Sequence, residues 1–215
     1  MDGSGECLAS FIDQGSVESH RYFLARRTVL EMLRDRGYAV PVAEIEQTLS
    51  EFRALYGEQP KPDNIRVSAP RLSDPSIKVI VIFCGPGKFK LATLRGILDK
   101  LKFEAFQRLI LILGDKPTSQ ARQATREFPF KVETFQITEL LVNVTKHVLM
   151  PKHEILSEEE KQALLKKYSV EENQLPRMLA SDAVARYYGL DPGQVVRVTH
   201  DSEDTGLHVT YRCIV

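Results

Sequence analysis

The chain has 215 residues, enough for one large domain or two modest ones that each bury a core. It is 43% hydrophobic and 27% charged, with 29 basic and 29 acidic side chains, so no global field draws it to nucleic acid or to a membrane. Cys7, Cys84 and Cys213 lie far apart, with no CxxC pair and no histidine at ligand spacing. That argues against a disulfide framework or a zinc site and fits a reducing compartment.

Residues 1–15 carry Gly and Ser without periodicity and read as a mobile lead, with Leu8, Phe11 and Ile12 available to dock. They lack the basic start and apolar centre of a secretory signal. Residues 16–36 predict a helix with Tyr22, Ala25, Val29, Met32 and Leu33 on one face, ended by Gly37. Its arginine side reads as a solvated face. Pro41 is placed to open a second helix at its favoured first position. Val42, Ile45, Leu49, Phe52 and Tyr56 step along it by three and four, and Gly57 stops it. The two helices are expected to pack as an antiparallel pair.

Residues 58–76 read as a connection with one short strand near 65–67. Then β and α patterns alternate. Residues 78–83 and 109–113 are β-branched or leucine-rich runs, buried strands too short to cross a membrane. Residues 89–106 and 119–128 predict helices, the first with Leu91, Leu94, Ile97, Leu98 and Leu101 inward, and 131–135 a third strand. This order implies a small, mainly parallel sheet with right-handed crossovers. Residues 137–144 read as a short helix or turn, and a domain boundary is expected near 143–146.

A second unit, 146–215, opens with a short strand at 153–156. Ser157 and Glu160 form a capping box for a helix anchored by Leu164, Leu165 and Tyr168. Pro176 pushes Leu175 to an extended conformation ahead of Arg177. Ser181 and Asp182 are cap types for a short helix with Val184, Tyr187 and Tyr188 on one side and Gly189 as a left-handed C-cap. Asp191-Pro192-Gly193 is a turn. Residues 195–200 and 207–214 predict a hairpin around a polar loop, 201–206. The fold class is α/β in the first unit and α+β overall.

Residues 151–215 hold 8 basic and 11 acidic side chains, leaving 21 and 18 before them, a weak asymmetry for a free-standing nucleic-acid-binding domain. Gly85-Pro86-Gly87-Lys88 follows a strand as a phosphate loop would, but lacks the Gly-Lys-Ser/Thr ending, and Pro86 removes a donor; it reads as a tight turn. Pro62-Asp63, with Lys131 and Glu133 on one strand, resembles parts of a metal-dependent nuclease site. Lys131 and Glu133 stand in reversed order, and the one Glu-x-Lys, Glu159–Lys161, lies in the other unit. His147 and His153 read as packing or hydrogen-bonding histidines. No cofactor is expected. The local basic candidate is the loop 114–126, where Lys116, Arg122 and Arg126, with Thr118, Ser119 and backbone amides, either meet phosphates or simply cap a helix.

Several of these residues also carry a resemblance. Pro151-Lys152-His153, Leu175-Pro176-Arg177, the stretch from Asp182 to Gly189, Gly193-Gln194-Val195-Val196 and Tyr211-Arg212 are similar to the C-terminal domain of the fifth subunit of eukaryotic nuclear RNA polymerases, a domain that stands alone as a small polymerase subunit in archaea. The similarity runs from about Ser19 to Val215. Ser19-His20-Arg21-Tyr22, Arg34-Asp35-Arg36-Gly37-Tyr38 and the N-terminal lead resemble the plant variant used by RNA polymerase V more than the common subunit. The resemblance implies a nuclear, non-catalytic subunit with an endonuclease-like jaw domain. It also implies an assembly domain held against the largest subunit, no homo-oligomer and no membrane. Pro151, His153, Leu175, Pro176, Arg177, Tyr187, Tyr188, Gly189, Tyr211 and Arg212 are then the assembly candidates, although Tyr187 serves equally well in a core. In the common subunit the loop matching 114–126 carries Thr-Pro-Ser-Ala and approaches downstream DNA. Here Thr118 and Ala121 match, Ser119 and Gln120 replace the Pro-Ser, and Pro117 precedes the threonine. A polymerase V subunit would serve RNA-directed DNA methylation. The equivalent subunit of RNA polymerase II or another nuclear polymerase, and a stand-alone silencing adaptor, remain alternatives.

Overall fold

The computed structural model describes residues 15–101, 104–202 and 206–215. The lead at 1–14, positions 102–103 of the expected helix 89–106 and 203–205 of the expected loop lie outside the described residues. The chain divides into two compact units, up to Val142 and from Asn143 to Val215.

The first unit opens with α1 (Val17–Asp35), capped by the Ser16 hydroxyl, which accepts from the Glu18 and Ser19 amides. Tyr22, Ala25, Val29, Met32 and Leu33 are all buried. The expected arginine face is not uniformly solvated. Arg26 is buried and donates to Glu44 at 2.5 Å and Gln47 at 3.2 Å. The expected second helix is broken in two, α2 (Val42–Ile45) and α3 (Leu49–Tyr56). Thr48 and Glu51 form a capping box, which restarts the chain where a continuous helix needs ordinary turns. Pro41 is therefore an N-cap rather than the first helical residue, and Val42 is 58% exposed while Phe52 is fully buried. α3 runs back along α1: Arg53 donates to Ser19 and lies 3.4 Å from Glu58, whose carboxylate accepts from the Ser16 amide.

The first sheet has the order β1 (Val67–Pro70), β2 (Lys78–Phe83), β3 (Arg108–Leu113), β4 (Lys131–Gln136). β2, β3 and β4 are parallel, whereas β1 is antiparallel to β2 and sits slightly later than the expected 65–67. Ile65 is instead a fully buried plug. Helices α4 (Leu91–Leu101) and α5 (Ser119–Ala124) are shorter than expected. The aromatic residues that the pattern assigned to their ends, Phe106 and Phe128, lie outside them and pack with Phe130 against the same core. Leu109, Leu111 and Leu113 face α4 and α5. Ile110 and Ile112 are buried on the other face, where Tyr22 meets Phe83 edge-on. A 3-10 turn, Ile137–Leu140, packs on α1.

The second unit is a four-stranded sheet ordered β5 (Lys152–Ile155), β7 (Val195–Ser202), β8 (Gly206–Ile214), β6 (Arg177–Met178). β7 and β8 reach further than expected, pairing as far as Ser202 with Gly206. One face packs α6 (Glu158–Tyr168) through Leu164 on Val195 and Cys213. The other packs α7 (Ala183–Tyr188) through Val184 and Ala185 on Val196, Val198 and Ile214. The Ser157–Glu160 capping box is present. Tyr168, expected as an anchor, is 53% exposed, because α6 ends there at Ser169 in the left-handed region.

Candidate functional site

Two sets of residues are candidates, one in each unit. In the first unit, Thr118 caps α5: its hydroxyl accepts from the Ala121 amide at 3.3 Å. Lys116, Ser119, Arg122 and Arg126 are exposed around it. The loop is not alone. β2 and β3 are adjacent parallel strands, so the turns that follow them share one end of the sheet. Cys84 N donates to Ile112 O at 2.7 Å and Thr118 N to Phe89 O at 3.1 Å, which joins the two loops. A side chain at Gly114 would place its Cβ 3.2 Å from Pro86 Cα, so the close approach favours glycine. The result is that Lys88 and Lys90, both exposed, lie on the same rim as Lys116. The residues of 85–88 taken by themselves give only a turn and do not reveal this neighbour. A signal exists in the element order: turns after consecutive parallel strands must meet at one edge.

Ligands of open parallel sheets sit at this edge. Here the crevice between Tyr22, Cys84, Pro86, Gly114 and Ile137 encloses about 50 Å³, room for one or two waters and not for a nucleotide. Burial, with the Asp63 charge adding, pushes the Cys84 thiol up to about 12, far from a nucleophile's range. The rim can therefore hold phosphates on its outside rather than a ligand within. Of the nuclease-like residues, Glu133 is already engaged. Glu133 is clamped by Arg36 at 2.8 and 3.2 Å and by Arg108 at 2.8 Å, and the Arg36 side chain is only 3% exposed. A carboxylate neutralised by two guanidiniums is a structural pin.

In the second unit the β6–β8 pairing brings Pro176 and Arg177 beside Arg212 and Cys213, with Cys213 N donating to Pro176 O at 2.8 Å. Pro176, Arg177 and Arg212 are exposed; Leu175 and Tyr211 are half-buried against the Leu164 core. Tyr187 is 4% exposed and belongs to the core. Its hydroxyl accepts from Asn143 Nδ2 at 3.1 Å, and its ring meets Tyr188 edge-on at 5.2 Å. Tyr188 is half-buried on the α7 side. Gly189 has φ 64° and closes α7, its amide donating to Ala185 and Arg186. His153 Nδ1 donates to Pro151 O at 2.7 Å, which fixes the tautomer, since a carbonyl can only accept. Partial burial, with Arg212 and His200 nearby, holds the His153 pKa below the usual histidine value. His147 likewise serves locally, accepting from the Leu149 amide.

Comparison with known proteins covers both units. The family model described as RNA polymerase Rpb5, N-terminal domain, matches residues 16–101, and that described as RNA polymerase Rpb5, C-terminal domain, matches residues 142–214. DNA-directed RNA polymerases IV and V subunit 5B of Arabidopsis thaliana is 51% identical over 100% of both chains. DNA-directed RNA polymerase V subunit 5A of the same plant is 50% identical over 97% of this chain and 94% of its own length. The Caenorhabditis elegans DNA-directed RNA polymerases I, II, and III subunit RPABC1 is 35% identical over 93% of this chain and 98% of its own.

Proposed function

We propose, from the premise that the chain belongs to the Rpb5 family of RNA polymerase subunits, that it is the non-catalytic fifth subunit of a plant nuclear polymerase, RNA polymerase V. The observation that carries this reading is the difference in identity. The subunit named for polymerases IV and V stands at 51% and the one named for polymerase V at 50%, the subunit named for polymerases I, II and III at 35%, over nearly the same span. The chain then acts in the nucleus, in the transcription that guides RNA-directed DNA methylation.

The first unit is the jaw domain. Lys88, Lys90, Lys116 and Arg122, with Thr118 and Ser119, meet phosphates of the downstream duplex. Such contacts are independent of sequence and weaken with salt. The chain's balanced charge suits a contact that works only inside a larger assembly. The second unit is the assembly domain, presenting Pro151, Pro176, Arg177, Tyr188, Tyr211 and Arg212 to the largest subunit. Glu133 is held by arginines and Cys84 stays protonated, which supports leaving the chemistry to other subunits.

The test is mild affinity purification of the tagged chain and mass spectrometry of the largest co-purifying polypeptides. Recovery of the polymerase V largest subunit is expected. Recovery of the polymerase II largest subunit instead would move the chain to that enzyme, and a chain eluting alone would remove the subunit reading.

A further inference from the structure

One edge of the second sheet is half finished. β8 has nine residues, but β6 pairs with two of them, Arg177 with Cys213 and Met178 with Ile214. The direction of each backbone group along β8 follows from its bonds. Ile214 N donates to Gln194 O, toward β7, whereas Cys213 N donates to Pro176 O and Val215 N to Met178 O, away from it. Alternation then turns His208, Thr210 and Arg212 toward β7, and Leu207, Val209 and Tyr211 outward. The reason β6 stops is chemical. In this parallel register the next bond would run to the Tyr211 carbonyl from the amide of residue 176, and Pro176 has no N–H. Among the described residues no strand lies opposite the outward groups of 207, 209 and 211.

Side chains around this edge differ by face. Leu207, Val209 and Tyr211 share the face of α6; Leu207 is 68% exposed, Val209 38% and Tyr168 53%, with the Tyr168 and Tyr211 rings 6.3 Å apart. The opposite face of the same edge carries exposed His208 and Arg212. Edge strands of monomeric proteins are normally blunted by charge, proline or bulges, because open N–H and C=O groups recruit other strands. Here the open stretch carries an apolar row on one face and a cation on the other.

We propose that residues 207–211 of β8 form a strand-addition site, where an extended segment of another polymerase subunit pairs with the outward groups of Leu207, Val209 and Tyr211. The incoming segment alternates in chemistry: apolar side chains over Val209, Tyr211 and Tyr168, and acidic ones against Arg212. Main-chain bonds supply affinity, and the alternation fixes the register. This inference rests on the subunit reading above.

The experiment is hydrogen exchange on the chain alone and on the purified polymerase that contains it. The amides of Leu207, Val209 and Tyr211 are expected to exchange quickly in the free chain and at least about tenfold more slowly in the assembly. Those of His208, Thr210 and Arg212 are expected to be slow in both. Equal rates for the outward amides in a chain that is inside the assembly would overturn the proposal and leave the subunit reading intact. Protection appearing in the free chain as its concentration rises would make the occupant a second copy and overturn it too. If the chain joins no polymerase, the subunit reading fails and the proposal falls with it. As a second arm, Val209→Pro removes an outward donor without touching the β7 ladder, while Val209→Thr keeps it. The first is expected to keep the circular dichroism of the fold and to lower recovery of the polymerase at least about tenfold; the second is expected to recover it fully. Equal recovery with both would count against the site.

Discussion

The two units use their most distinctive side chains in opposite ways. In the first, several buried or half-buried charges are structural. Arg36, Glu133 and Arg108 tie the end of α1 to β3 and β4, and Arg26 ties α1 to α2. The residues suited to contact a ligand are the exposed lysines on its strand-end loops, which make no demand on the fold. In the second, many residues that carry the family resemblance are themselves the architecture. Gly189 ends α7, Tyr187 fills the core, Pro176 sets where β6 stops, and the Pro151 carbonyl orients His153. The difference teaches that a motif can identify a family through the positions that fold the domain, while contact surfaces lie beside them.

Ways to break this contrast can be ranked by size. Glu133→Ala removes the carboxylate that holds both the buried Arg36 guanidinium and Arg108, and is expected to cost about 3–5 kcal/mol, measured by urea denaturation. A loss below about 1 kcal/mol would mean that the triad is not a pin but a solvated contact. Tyr187→Phe removes the acceptor of Asn143 Nδ2 and is expected to cost about 1–3 kcal/mol while leaving polymerase recovery unchanged. Lost recovery at unchanged stability would return Tyr187 to the interface. Gly189→Ala forces a Cβ into φ 64° and is expected to cost about 1 kcal/mol in thermal unfolding.

A smaller effect should follow pH. The His153 pKa is lowered in the fold, so protonation favours the unfolded chain. Stability is present above the ordinary histidine range and is lost as pH falls through it. Melting curves between about pH 7.5 and pH 5 should show this slope, and His153→Gln should flatten it. Lys88→Ala with Lys90→Ala should leave stability within about 0.5 kcal/mol. In the assembled polymerase this pair should flatten the salt dependence of DNA binding by up to about 2 in the log–log slope. An unchanged slope would confine any DNA contact to the Lys116 loop.

The sequence by itself determined what short-range chemistry controls. Ser157 with Glu160, Asp182, Gly189 and the Asp191-Pro192-Gly193 turn act within four residues, through caps and allowed φ, and the β-branched runs became strands almost where their pattern lay. Even the break before α3 was legible in Thr48 and Glu51, but the apolar three-four spacing masked it. Only the tertiary structure decided the rest. Arg36 and Glu133 are 97 positions apart, and nothing local announces their pairing. Lys88 and Lys116 share a rim because β2 and β3 are neighbours, and Tyr187 is interior because α7 lies down on β7 and β8. The open edge of β8 has the same origin. A backbone group is satisfied or left open only by what the fold places opposite it, and that depends on which distant strand arrives and where a proline stops it.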